Sequence, residues 1–202
     1  MRLAYWNPMT FPAPVKICVP ATGGGDIIIG GGSAVGSDGN PTGAALSGSA
    51  SYHGVGIGGG GSASTLTSIY SGGGKISISG KNTSTADGVG FEWQNRVWAN
   101  GGQIKISGEN SNASSGYAVV LQDGGQATNP SDFFSSSNTS PAIEISALST
   151  GAAVGLDSGY YSTGANKIYL QATGSGGITL TGDASGQNRP EVGLNGTNVL
   201  SE

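Results

Sequence analysis

One cysteine, one histidine and twenty charged side chains are all that 202 residues supply of the chemistry from which most sites are built. With Cys18 alone, neither an intrachain disulfide nor a cysteine-built zinc site can form. With His53 alone, a three-histidine metal site and paired-histidine catalysis are excluded. The residue stands in Ser51-Tyr52-His53-Gly54 and reads as a loop histidine. Eight Lys and Arg against twelve Asp and Glu give a formal charge of −4, and no two basic residues are adjacent. Nucleic acid and anionic membrane are therefore poor partners. No apolar run exceeds five residues, too short for a membrane-spanning helix. Met1 to Pro20 carries Pro8, Pro12, Pro14 and Pro20 and no continuous apolar region, so it does not read as a signal peptide. Either this segment is not exported by its own N-terminus, or it belongs to something longer.

What is abundant is small and polar. Gly, Ser, Thr and Asn make up 95 of the 202 residues, 39 of them Gly. Gly costs about 1 kcal/mol per helical position relative to Ala, and Ser, Thr and Asn compete with the helical backbone through their own hydrogen bonds. A mainly helical chain is excluded. At 36% apolar residues the composition still supports a narrow core, and the class that survives is a regular, Gly-punctuated β structure.

Internal repeats fix the kind of β structure. Ile69 to Gln94 aligns with Val97 to Gln122 at an offset of 28 without a gap, with nine identities among 26 positions. The identities include Gly73/Gly101, Gly74/Gly102, Ile76/Ile104, Ile78/Ile106, Gly80/Gly108 and Gly88/Gly116, while Tyr70 falls over Trp98 and Trp93 over Leu121. An apolar-x-apolar triplet recurs at Ile27–Ile29, Ile76–Ile78, Ile104–Ile106, Ile143–Ile145 and Ile178–Leu180. A second follows each at Val55–Ile57, Val89–Phe91, Val119–Leu121, Val154–Leu156 and Val192–Leu194. Each is a period-two strand, and the variable spacing between copies places the length differences in loops.

In a sandwich or up-and-down barrel successive strands need different inward residues, whereas here the same triplet returns once per repeat. The expected fold is all-β, a right-handed parallel β-helix (β-solenoid) of about five to six rungs, each about 4.8 Å above the last. Ile76, Ile104, Ile143 and Ile178 should form one inward ladder, and Val89, Val119, Val154 and Val192 another, allowing a residue of slippage. Gly at the corners should supply φ > 0. Residues 1–22 form a non-repeat segment, with short strands in Arg2–Trp6 and Val15–Val19, that is a cap, a disordered stretch or a lead not native to the array; residues 23–202 form the repeat region. The chain ends at Ser201-Glu202 without an evident cap, which a solenoid needs, and this predicts part of a longer array and end-to-end self-association.

Little chemistry emerges along the chain. Asp26, Asp38, Asp87, Asp123, Asp132, Asp157 and Asp183 are isolated and loop-borne, and no Gly-x-Ser-x-Gly elbow precedes a helix. Gly54-Val55-Gly56-Ile57-Gly58 lacks the following helix that a dinucleotide loop requires. Gly23-Gly24-Gly25-Asp26 and Ser37-Asp38-Gly39-Asn40 have the composition of calcium turns without the repetition that would stack Asp over Asp. The outward column Ile28, Ser77, Lys105, Glu144, Thr179 is too mixed to bind ice. Asn-x-Ser/Thr sequons at Asn82, Asn112, Asn138 and Asn195 lie in predicted loops open to a glycan. No catalytic, cofactor or metal residue is assigned, no cofactor is expected, and the reading is not an enzyme.

The pattern Gly-Gly-x-Ile-x-Ile-Ser-Gly, then a Ser/Thr/Asn-rich loop and Gly-Val-x-apolar, stands at Gly73–Gly80 with Gly88–Phe91 and at Gly101–Gly108 with Gly116–Leu121. It resembles the repeats of filamentous-haemagglutinin-like exoproteins, bacterial adhesins exported by two-partner secretion, and of autotransporter passenger domains. The resemblance implies a right-handed β-helical shaft, a secreted or cell-surface location, an outer-membrane transporter as partner of the parent protein, and a role in attachment or in toxin delivery at a distance. A glycan or cell-surface receptor would be met through loops Lys81–Asp87, Glu109–Ser115 and Asp123–Ser140. In the last, Phe133-Phe134 is either exposed for contact or tucked against the shaft. The competing reading is a β-helical carbohydrate-active enzyme or carbohydrate-binding protein. No signal peptide, secretion domain, Arg-Gly-Asp or C-terminal barrel accompanies the repeats, so no site residue is carried over.

Overall fold

A computed structural model describes residues 2–4, 9–11, 16–18, 24–58, 66–112, 115–122, 130–151, 154–158, 168–184, 192–194 and 197–201. These residues are all-β, without a helix among them. The chain passes through three sheets in the same order six times. The first turn is β1 (Arg2–Ala4), β2 (Met9–Phe11) and β3 (Lys16–Cys18); the second is β4 (Ile27–Val35), β5 (Pro41–Gly43), β6 (Ala45–Ser47), β7 (Val55–Ile57) and β8 (Leu66–Tyr70). The third is β9 (Ile76–Asn82), β10 (Val89–Phe91) and β11 (Gln94–Asn100), and the fourth β12 (Ile104–Asn110), β13 (Tyr117–Leu121) and β14 (Ser131–Ser135). The fifth is β15 (Ile143–Ser149), β16 (Val154–Ser158) and β17 (Ile168–Ala172), and the sixth β18 (Ile178–Asp183), β19 (Val192–Leu194) and β20 (Thr197–Ser201). Sheet A runs β1-β4-β9-β12-β15-β18, sheet B β2-β7-β10-β13-β16-β19 and sheet C β3-β8-β11-β14-β17-β20. Every pairing is parallel except that of β4 with β5, an arrangement consistent with a β-solenoid.

The isoleucine ladder has the expected register. Ile27, Ile76, Ile104, Ile143 and Ile178 pair in succession along sheet A, and Ile29, Ile78, Ile106, Ile145 and Leu180 do so two residues on. All except Ile178 and Leu180 are fully buried. The valine ladder needs correction: Val89 pairs with Val119, but Val119 meets Leu156 and Leu156 meets Val192, while Val154 lies opposite Tyr117. A two-residue slip leaves the inward face unchanged, because side chains alternate with period two. The gapless alignment also breaks before β10. Val89↔Val119 and Phe91↔Leu121 stand two residues beyond the offset of 28, so Trp93 does not lie over Leu121 and Gly88 does not lie over Gly116.

Gly80 and Gly108 are not turn residues. They continue β9 and β12, so the inward sequence reads Ile, Ile, Gly, Asn, and a Cβ at Gly108 would approach the Ala118 carbonyl oxygen to 2.0 Å. The positive φ lies elsewhere, for example at Gly73 (116°) and Gly177 (69°) in the bends leading from sheet C back to sheet A. Strands of seven residues also absorb the starts of two expected loops. Lys81 and Glu109 are strand residues that pair with each other across turns, and Asn82 and Asn110 are fully buried.

Sheet C was not foreseen as a separate element. Val97 pairs with Ile69 and Phe133, and Phe133 with Leu170, so the segment expected as loop Asp123–Ser140 contains β14. Phe133 is fully buried, edge-to-face with Phe91 at 5.0 Å. The expected outward column of sheet A exists in register, but Ile28 and Ser77 are buried rather than exposed. Residues beyond Gly30 leave the sheet as an antiparallel hairpin, Gly31 pairing with Gly43 and Val35 with Pro41, and Asn40 in its loop accepts a hydrogen bond from Ser77 Oγ at 3.0 Å. Within residues 1–22, β1, β2 and β3 each add a parallel strand to one sheet, Ile17 pairing with Ile69.

Candidate functional site

His53 does not stand alone. It lies two residues before Val55 of β7, and Asp87 lies two residues before Val89, the partner of Val55. Parallel stacking therefore sets the imidazole beside Asp87, with Nδ1 3.1 Å from Oδ2. Glu92, the residue after β10, approaches from the other end of the same strand, its Oε1 2.8 Å from Nε2. The ring lies over Gly90, where an added Cβ would come within 3.0 Å of three ring atoms, so only glycine leaves room for it. Asp87 is itself held by the turn above, accepting the Tyr117 backbone N–H on Oδ1 at 2.9 Å. An open depression lined by Ser51, Thr85, Ser115 and Gln122 borders the three side chains.

Burial works against a charged imidazole. The hydrogen bonds and charges of Asp87 and Glu92 outweigh it and raise the His53 pKa to about 9. The hydrogen bond from His53 likewise holds the Glu92 carboxyl below the usual carboxylate range. The Asp87 backbone N–H also points at Nδ1, at 3.2 Å, a bond open only to a neutral ring. With both carboxylates ionised the ring is a double donor, and that is the form this geometry favours. Each ring nitrogen then donates to a carboxylate, so neither is free to take a proton from a substrate. Chemically the cluster is a clamp between turns.

The other expected positions are dispersed. Asp26 Oδ1 accepts the Lys75 backbone N–H at 2.8 Å, and Asp38 accepts the backbone and side chain of Asn40, with its own carbonyl taking Lys75 Nζ at 2.9 Å. These two turns form no metal cluster among the described residues. Asp132 binds Trp98 Nε1 and Gln171 Nε2, Asp157 and Asp183 lie in strands, and Asp123 is outside the described residues. Val55–Ile57, within the Gly54–Gly58 stretch, is a buried strand.

Of the sequons, Asn82 is closed to a glycan. It is fully buried, and its Nδ2 donates to the carbonyls of Tyr52 (2.7 Å) and Ser49 (3.2 Å). Asn138 is exposed, with Oδ1 accepting the Ser175 backbone N–H; Asn112 is half-buried, and Asn195 lies outside the described residues. The His53–Asp87 pairing was legible in principle, since both residues precede aligned triplets by two positions. Glu92 had no such signal, because it lies beyond the triplet. Comparison with protein-family models, with curated proteins and with solved structures returned no match.

Proposed function

We propose that this chain is shaft material of a secreted or surface-exposed bacterial adhesin, wound as a right-handed parallel β-helix. The observation that carries the reading is the uniformity of the stack: three parallel sheets recur through six turns. The inward ladders of the three sheets are mainly apolar, and Lys81 with Glu109 and Lys105 with Glu144 pair across turns along the surface. Such a stack holds its surfaces at fixed spacing along an axis, and weak contacts repeated along it sum to avid attachment. Export through an outer-membrane transporter belongs to the same proposal and rests on the repeat resemblance.

The test is attachment. Beads coated with the purified chain should adhere to host or neighbouring-cell surfaces, and soluble chain should compete; beads that adhere no better than albumin-coated controls would sink the proposal. The rival, a carbohydrate-active enzyme, is favoured instead if incubation with plant and bacterial polysaccharides yields new reducing ends or unsaturated products and Asp87→Asn abolishes them.

A further inference from the structure

The outward face of sheet C carries a strip of aromatic and polar side chains that the clamp on sheet B does not use. Val97, Phe133 and Leu170 point inward, so their neighbours Arg96 and Trp98, Asp132 and Phe134, Tyr169 and Gln171 face outward. Tyr70, Trp98 and Phe134 fall in one column over three turns, edge-to-face at 5.5 and 5.9 Å, each half-buried. Beside them the Arg96 guanidinium lies 5.0 Å from the Trp98 ring centre. Its cross-strand neighbour Asp132 is committed elsewhere, with Oδ2 accepting Trp98 Nε1 and Oδ1 accepting Gln171 Nε2, each at 2.9 Å. Arg96 thus has no hydrogen-bond or ion-pair partner among the described residues, although it is partly withdrawn from water. Guanidinium presents five donors in a planar fork suited to a carboxylate.

We propose that this face binds an acidic oligosaccharide, with Arg96 taking a sugar carboxylate and the Tyr70–Trp98–Phe134 column meeting the C–H faces of successive rings. The turn-to-turn spacing, about 4.8 Å, is close to what one pyranose adds to an extended chain, so the ligand lies along the stack axis. Pyranose rings present apolar C–H patches ringed by hydroxyls, which match half-exposed aromatics set among Gln171, Asp132 and Tyr169. The assignment deepens the adhesive reading and rests on it for its biological setting.

Calorimetric titration of the full chain with oligogalacturonate, a uronic-acid oligomer, should show binding that weakens with added salt. A neutral galactose oligomer should bind at least tenfold more weakly, as should oligogalacturonate to Arg96→Gln, about the loss of one charge-assisted contact. Phe134→Ser should weaken binding of both sugars, and Lys105→Gln, on sheet A, should change neither. No binding of oligogalacturonate, equal binding of the neutral oligomer or of polyglutamate, or unchanged binding by Arg96→Gln would each overturn the proposal. If Arg96→Gln does not fold, Phe134→Ser decides by the same criterion. Cell attachment separates the two claims: attachment that survives a binding-dead Arg96→Gln removes the site and leaves the adhesin, while sugar binding without attachment removes the adhesin and leaves the site.

Discussion

His53 shows how much a single side chain gains from its register. Because the folded state raises its pKa above the unfolded value near 6.5, the clamp contributes fully below that value and is lost as pH rises through about 9. The contribution is at most about 3 kcal/mol. As the only histidine it gives one imidazole NMR signal, which should titrate near pH 9 rather than 6.5. His53→Gln should flatten the stability profile between pH 6.5 and 9 in denaturant titrations. An unshifted titration would mean that the carboxylates do not hold the ring. A second expectation lies in the core: Ile104, fully buried between Ile76 and Ile143, should cost about 2–5 kcal/mol when truncated to Ala. Lys105→Ala, whose Glu144 partner is 3.2 Å away and part-exposed, should cost less than about 1 kcal/mol by the same unfolding measurement.

At the scale of the strand, the ends of β6, β9, β12 and β15 in sheet A depart from an oily interior. Ser47, Asn82, Asn110 and Ser149 stack in register and are buried. Asn110 Nδ2 donates to the carbonyls of Ala86 (2.7 Å) and Tyr117 (3.4 Å), and its Oδ1 accepts the Asn112 backbone N–H (2.8 Å). These bonds satisfy the backbone of the bend into sheet B, so Asn110→Leu should cost about 1–3 kcal/mol by leaving those groups unpaired. Amide exchange should accelerate first around Ala86, Asn112 and Tyr117; uniform acceleration would argue against a local role. The sequence revealed sheets A and B because branched apolar triplets at constant spacing leave a period-two signature. It concealed sheet C, whose inward residues Ile69, Val97, Phe133 and Leu170 differ in size from turn to turn. It also concealed Asn82 and Asn110, because polar residues after glycine look like loop in a one-dimensional pattern. The hairpin that meets Ser77 through Asn40 was hidden for a related reason: a Gly-rich strand that leaves its sheet carries no alternation to mark the departure.

For the molecule as a whole, the sixth turn differs from those beneath it. Ile143, Ile145, Leu156 and Leu170 of the fifth turn are fully buried, whereas Ile178, Leu180 and Val192 above them are only partly covered and Val199 is 44% exposed. On the far side of β18, β19 and β20 no described strand pairs with them. Backbone donors and acceptors beside uncovered apolar side chains form a template for another strand. The chain should therefore self-associate with rising concentration in sedimentation velocity, and Val199→Lys should shift it toward monomer. A wild-type chain that stays monomeric at millimolar concentration would refute this. The hairpin of β4 and β5 has a consequence of another kind. A displacement by one turn carries most of the stack onto itself, so a partner that reads only the repeating faces finds several equivalent seats and has no means of choosing among them. Among the described residues the hairpin occurs once, over the second and third turns, and removes that degeneracy: it is a landmark from which every other position along the axis can be counted.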